Sequence, residues 1–197
     1  MIRVESLLRR LGPSIVSRRF PACNYFSFSS FSSTVSSVNL EIKEANARCK
    51  REIEVKSADD KGFGVYASRN FSKGEIVIAA RALETQSEPN SHSIQTGWKR
   101  HVMMDLPARF LNHMCDPNTA VRPNDHGAYN FVALKPIQAN EEVGFDYETS
   151  EYDFELACGC GAPECRKHLK GFRYHGKDVL EAHGEECVAS YLLVKEK

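Results

Sequence analysis

The chain has 197 residues, 42% hydrophobic and 26% charged, with 26 basic side chains balancing 26 acidic ones. That length suits one domain plus appendages, and no apolar run approaches the ~18–20 residues needed to span a bilayer. The zero net charge hides an asymmetry: residues 1–38 hold five Arg and one acid, so the remaining body is acidic. An acidic body argues against nucleic-acid binding and suits a basic peptide as partner.

Taken in chain order, residues 1–38 read as an address. Arg9-Arg10 and Arg18-Arg19 punctuate them, ten serines fill them, and Glu5 is their sole acid. Arg-rich, Ser-rich and acid-poor is the composition of an organelle transit peptide. The expectation is a disordered leader to an organelle matrix, mitochondrion or alternatively chloroplast. A plain disordered tail on a nuclear protein is the alternative. In a reducing compartment the seven Cys are metal ligands or free thiols rather than disulfides. Residues 39–51 form a linker or short helix. Residues 52–157 then read as many brief strands: Ile53 to Lys56, Val65 to Ala67, Ile76 to Ala80, Asn130 to Leu134 and Val143 to Phe145. Turns at Asp59-Asp60-Lys61-Gly62 and Ser72-Lys73-Gly74 punctuate them, and a hairpin is predicted around Thr96-Gly97. Residues 158–173 carry a metal motif, and 174–197 a helical segment whose best stretch is Lys177 to Lys195. The fold class is mostly β with short helices.

Cys158, Cys160 and Cys165 form a Cys-x-Cys-x4-Cys cluster that makes three quarters of a zinc site, since structural zinc takes four thiolate or imidazole ligands. Two residues compete for the fourth place. His168 would close an independent knuckle, whereas Cys115 would tie the tail to the segment Arg109 to Asn118. Taken singly, the other motifs have bland readings. Gly62-Phe63-Gly64 is a turn needing positive φ, and without a G-x-G-x-x-G helix opening it supports no dinucleotide site. Asn112-His113 satisfies backbone groups. Phe145-Asp146-Tyr147 is a strand end with a buried ring.

Their order changes the weight. Gly62-Phe63-Gly64-Val65-Tyr66-Ala67 precedes Lys73-Gly74-Glu75, and then Arg109-Phe110-Leu111-Asn112-His113 runs on to Cys115, Pro117 and Asn118. Ala133-Leu134-Lys135-Pro136-Ile137 follows, then Glu141-Glu142-Val143, Phe145-Asp146-Tyr147 and the Cys cluster. This succession closely resembles the SET-domain protein-lysine methyltransferases with a post-SET zinc tail, in particular the small stand-alone SET proteins, over about residues 52–173. The resemblance implies a SET-domain β fold with a knot-like crossing of the segments holding Asn112 and Tyr147, a post-SET zinc motif and a terminal helix. It implies that Gly62, Phe63, Gly64, Asn112, His113, Tyr147 and Leu169 bind S-adenosylmethionine. It assigns Tyr147 as the catalytic residue and Phe145 as the wall of the lysine channel that favours di- or trimethylation. Cys115, Cys158, Cys160 and Cys165 become the ligands of a structural zinc ion.

Methyl transfer from a sulfonium to an amine is an in-line displacement that needs neutral lysine, whose free pKa is ~10.4. An apolar aromatic channel disfavours the ammonium form. The expected partner is a lysine-containing basic protein or peptide, histone or non-histone, with no nucleic acid, no membrane and a monomeric state. Glu141, Glu142, Glu148, Glu151, Asp153 and Glu155 crowd the region of Tyr147, either as a solvated loop or as a wall attracting that peptide. One departure stands out: Met114 occupies a place where the family usually has Ser. A non-catalytic, zinc-stapled SET-like interaction module is the alternative function.

Overall fold

The structure, a computed structural model, describes residues 29–58 and 62–194. Most of the Arg- and Ser-rich leader, Cys23 included, and the predicted turn residues Asp59-Asp60-Lys61 lie outside the described residues.

The first element is a helix, α1 (Ser29–Cys49), which runs through the boundary expected at residue 38. Ile42 and Ala45 bury on its inner face. Asn46 fastens it to the next strand, its amide giving 2.8 Å to the Val55 carbonyl and taking 2.7 Å from the Val55 N–H. Of the two readings of residues 39–51, linker or short helix, the structure has the helix, longer than expected and packed on the core. No helix among the described residues is long and apolar enough to cross a membrane.

Among the described residues twelve short strands follow. One sheet has the order β1 (Ile53–Ser57), β2 (Phe63–Ala67), β10 (Glu142–Phe145), β7 (Asn112–His113). A second has β3 (Ile76–Ala79), β9 (Tyr129–Ala133) and β8 (Thr119–Pro123), and a third β4 (Ala82–Gln86), β6 (Arg100–Met104) and β5 (Ser93–Gly97). β11 (Leu156–Ala157) and β12 (His168–Leu169) make a two-stranded ladder in the tail. The expected hairpin joins β5 to β6, with Ile94 opposite Val102. Val65, Val102, Val121, Phe131, Ile137 and Val143 are all 0% exposed and mark the centre of the core. Alternation of β-branched and aromatic residues with polar ones puts one face of each short strand there.

The C-terminal helix differs from its expected span. α2 covers Phe172–His183, beginning five residues earlier than Lys177 and ending well before Lys195. Gly184 stops it at φ 80, with its N–H bonded 2.9 Å to the Leu180 carbonyl; a left-handed glycine is a common helix terminator. Beyond it the apolar residues bury in two 3-10 turns, Glu185–Cys187 and Ser190–Leu193, instead of continuing a helical stripe.

Candidate active site and metal centre

β7 and β10 lie side by side and parallel, Asn112 opposite Gly144 and His113 opposite Phe145. Asn118 holds the pair in place, accepting the Gly144 N–H at 3.0 Å and donating 2.7 Å to the Glu142 carbonyl while 2% exposed. The crossing brings together side chains far apart in sequence. Tyr147 donates its hydroxyl to the Leu111 carbonyl at 2.8 Å, and its backbone N–H to His113 Nδ1 at 3.2 Å. Asn112 reaches back to the glycine turn, donating 3.0 Å to the Phe63 carbonyl and 2.8 Å to Glu142. At Gly64 the fit is close: a Cβ there would sit 2.9 Å from Glu142 Oε1 and 3.1 Å from Asn112 Nδ2. Gly62-Phe63-Gly64, Asn112, His113 and Tyr147 are thus one constellation. Leu169 stands on β12, wholly buried opposite Leu156. Met114 packs against Gly144, where a Cβ would meet its Cγ at 2.9 Å, so the long side chain fills space that glycine leaves.

The tail thiols converge on the same crossing. The ligand atoms of His113, Cys115, Cys158 and Cys160 all lie within 4.8 Å of one another. Cys115 Sγ is 3.8 Å from Cys158 Sγ, and Cys165 Sγ is 3.6 Å from Cys158 Sγ. Tetrahedral zinc with Zn–S bonds of ~2.3 Å places sulfurs ~3.8 Å apart, so the sulfur spacing fits a zinc centre. His168, the competitor from the sequence, is exposed on β12 and outside this group. His113 is the member that spacing does not reveal. Its Nε2 is 3.1 Å from Cys115 Sγ, and because Nδ1 accepts the Tyr147 N–H, the ring proton belongs on Nε2. His113 therefore donates to the Cys115 sulfur and orients it, while Cys165 lies outside that group of four but within 3.6 Å of Cys158 Sγ. Burial pushes its imidazole down to about 4, keeping it in that neutral form.

A second feature escapes sequence reading altogether. Asp146 and Glu148, on either side of Tyr147, are not solvated: they are 1% and 0% exposed. Arg166, next to Cys165, donates to both, reaching Asp146 Oδ2 at 2.5 Å. From α2, His183 Nε2 lies 3.0 Å from Asp146 Oδ2 and His175 Nδ1 2.8 Å from Glu148 Oε1. The Lys170 and Gly171 N–H groups donate to Glu148 Oε1 at 2.7 and 3.0 Å. Burial alone would raise the Asp146 carboxyl, but His183, Arg166 and His113 outweigh it and hold it below the usual range. The eight-residue spacing of His175 and His183 on one helix face is the only sequence signal of this network. The acidic crowd divides accordingly: Glu142 braces Asn112, Asp153 pairs with Arg173 at 2.7 Å, and Glu148 is buried structure. For Glu148 neither a solvated loop nor a peptide-facing wall holds, because the tail covers it.

Beside Tyr147 a cavity of about 90 Å³ opens, lined by Ile94, Met104, Leu111, Phe145 and Phe154 together with Glu151. The Phe145 ring centroid is 5.0 Å from that of Tyr147 and 5.1 Å from that of Phe131.

Comparison with known proteins finds the following. A family model described as the SET domain matches residues 62–148. The histone-lysine N-methyltransferase trithorax of Drosophila melanogaster is 38% identical over 127 residues, 55% of this chain and 3% of that protein. An H3 lysine-36 specific histone-lysine N-methyltransferase of Yarrowia lipolytica is 31% identical over 140 residues, 60% of this chain and 18% of that protein. A crystal structure of KRYPTONITE with mCHH DNA, an H3(1-15) peptide and SAH aligns with TM-score 0.45 at 25% identity, covering 59% of this chain and 29% of that one. The chain thus spans a small part of the length of the relatives it matches.

Proposed function

Because the chain belongs to the SET-domain family, we propose that it transfers methyl groups from S-adenosylmethionine to the side-chain amine of a protein lysine. The observation that carries this reading is the meeting of Tyr147, Phe145 and an apolar cavity at the crossing that also holds Asn112 and His113. When bound, S-adenosylmethionine supplies the electrophilic methyl. Its holders would be the Gly62-Phe63-Gly64 turn, Asn112, His113 and, from the tail, Leu169. Phe145 and its apolar neighbours strip water from the acceptor and favour the neutral amine. Tyr147 orients that amine, its ring fixed between Phe145 and His113 and its hydroxyl anchored on Leu111. Zinc would be structural, since four thiolates leave no open position for chemistry. The thiols couple the tail to the Asn112-His113 strand through Cys115.

A phenylalanine at 145 adds no hydroxyl to the channel, which supports di- or trimethylation. The names of the relatives point to histone lysines. The composition of residues 1–38 supports an organelle matrix instead, where the acceptor would be a non-histone protein; imaging a reporter fused to residues 1–38 separates the two. The activity test is methyl transfer from radiolabelled S-adenosylmethionine to an H3(1-15) peptide and to a lysine-peptide library. The expected result is label incorporation that Tyr147→Phe reduces by at least ~10²-fold with no loss of fold. A zinc-replete wild-type protein that neither binds the cofactor nor transfers label would overturn the reading.

A further inference from the structure

Glu151 shares the cavity wall with Phe145 and Tyr147. Its position is set by the chain: the Glu151 N–H bonds the Tyr147 carbonyl at 2.9 Å, so it cannot move independently of the catalytic tyrosine. Its carboxylate accepts the Gln95 N–H of β5 at 2.8 Å. Among the described residues no cation pairs with it. Arg109 lines the same cavity but is committed to Glu41 at 2.7 Å. His92 also lines it, and burial, reinforced by Arg109, lowers that imidazole so that it stays neutral. Behind the carboxylate stand two phenols, Tyr129 bonded to the Gln95 carbonyl at 2.8 Å and Tyr191 to the Ser150 carbonyl at 2.6 Å. Burial pushes both phenols up, so they add no charge. A carboxylate on an apolar wall is costly to ionise, and an arriving ammonium group is a counter-ion that the described residues do not supply.

We propose that Glu151 binds the ε-ammonium of the acceptor lysine and takes its proton, so that a neutral amine is presented beside Tyr147. The inference rests on the methyl-transfer reading above. In the step, one ammonium N–H bond breaks, an O–H bond forms on the carboxylate, and the electron pair stays on nitrogen. An ion pair thereby becomes a neutral pair, which an apolar cavity favours. The proton later leaves to water at the cavity mouth, restoring the carboxylate. Burial raises the Glu151 carboxyl to about 7. That narrows its distance from a free lysine at ~10.4 to about three pH units, where an ordinary glutamate lies about six below.

Two measurements test this. In the first, kcat/KM for the H3(1-15) peptide is followed from pH 6 to 10. The wild type is expected to show a rising limb centred near 7. Glu151→Gln should lose that limb and about 10²-fold in rate, with partial recovery in Glu151→Asp. A Glu151→Gln profile superimposable on the wild type would overturn the proposal. The second measurement needs no turnover: ¹³C carboxyl NMR of δ-labelled glutamates, with n-butylamine as a mimic of the lysine side chain and n-butanol as its neutral counterpart. At pH 8.5, where the free carboxyl is ionised, the amine should move the Glu151 signal toward its protonated position, whereas n-butanol should leave it in place; a signal indifferent to n-butylamine refutes the site. A wild type that responds to n-butylamine yet methylates no peptide upholds the amine site and counts against the methyl-transfer reading.

Discussion

Replacing Arg166 with Met removes a guanidinium from between two carboxylates while keeping most of the side-chain volume. The carboxylates of Asp146 and Glu148 are 0% exposed, and Arg166 itself is 24% exposed. Removing one partner from a buried ion pair costs about 3–5 kcal/mol, because a buried charge is left uncompensated. Here other donors remain: His183 on Asp146, and His175 with the Lys170 and Gly171 N–H groups on Glu148. The expected loss therefore falls at the lower end, about 3 kcal/mol at pH 7.5. Since Asp146 is held low in the folded protein, its contribution is complete above the unfolded value of ~3.9 and disappears as pH falls through its folded value. In the variant, protonation relieves the lone carboxylate, so the deficit narrows on acidification. The assay is urea unfolding followed by circular dichroism with free zinc buffered, alongside zinc quantification. Zinc is quantified because Arg166 meets Cys115 through its side chain as well as through its backbone N–H at 3.4 Å, so some loss of zinc is expected with the guanidinium. A loss below about 1 kcal/mol with unchanged m-value would show that the histidines and backbone donors satisfy the carboxylates alone.

Chelation of zinc, or Cys160→Ser, should lower the melting temperature and abolish S-adenosylmethionine binding by calorimetry, since the thiols hold the tail against the Asn112-His113 strand; full binding by a zinc-free preparation would refute the coupling. Phe145→Tyr should shift the product toward monomethyl-lysine by mass spectrometry, with an unchanged distribution counting against Phe145 as the limiting wall. Glu151→Gln should be more stable than the wild type by up to about 3–4 kcal/mol at pH 8. The sign follows from a folded carboxyl raised to about 7: the ionisation penalty is absent below the unfolded value of ~4.3 and complete above 7. Paired unfolding curves at pH 5 and 8 check it, and equal stability at both would refute it.

The strands around Val65, Phe131 and Val143 are legible because their apolar residues bury locally on a pleated face, and the hairpin at Thr96-Gly97 is legible from its turn. Strand β4 is not, since its polar residues look like loop until pairing with β6 supplies the missing hydrogen bonds. The end of α2 is misjudged for a related reason: apolar residues beyond Gly184 bury in short turns, and burial by itself carries no period. Met114 shows how a departure from the resemblance is absorbed, for its side chain fills the space left beside Gly144.

Residue type and order alone carry the SET-domain resemblance and single out Tyr147 and the four thiols as candidates, because those chemistries need particular side chains at particular spacings. Only the tertiary structure decides which acids are buried. Asp146, Glu148 and Glu151 are one local composition with different fates, two neutralised by an arginine from the metal tail and one left facing the cavity. Burial is a long-range property: an acid's environment depends on what the distant chain lays over it, and no window around Tyr147 contains that information.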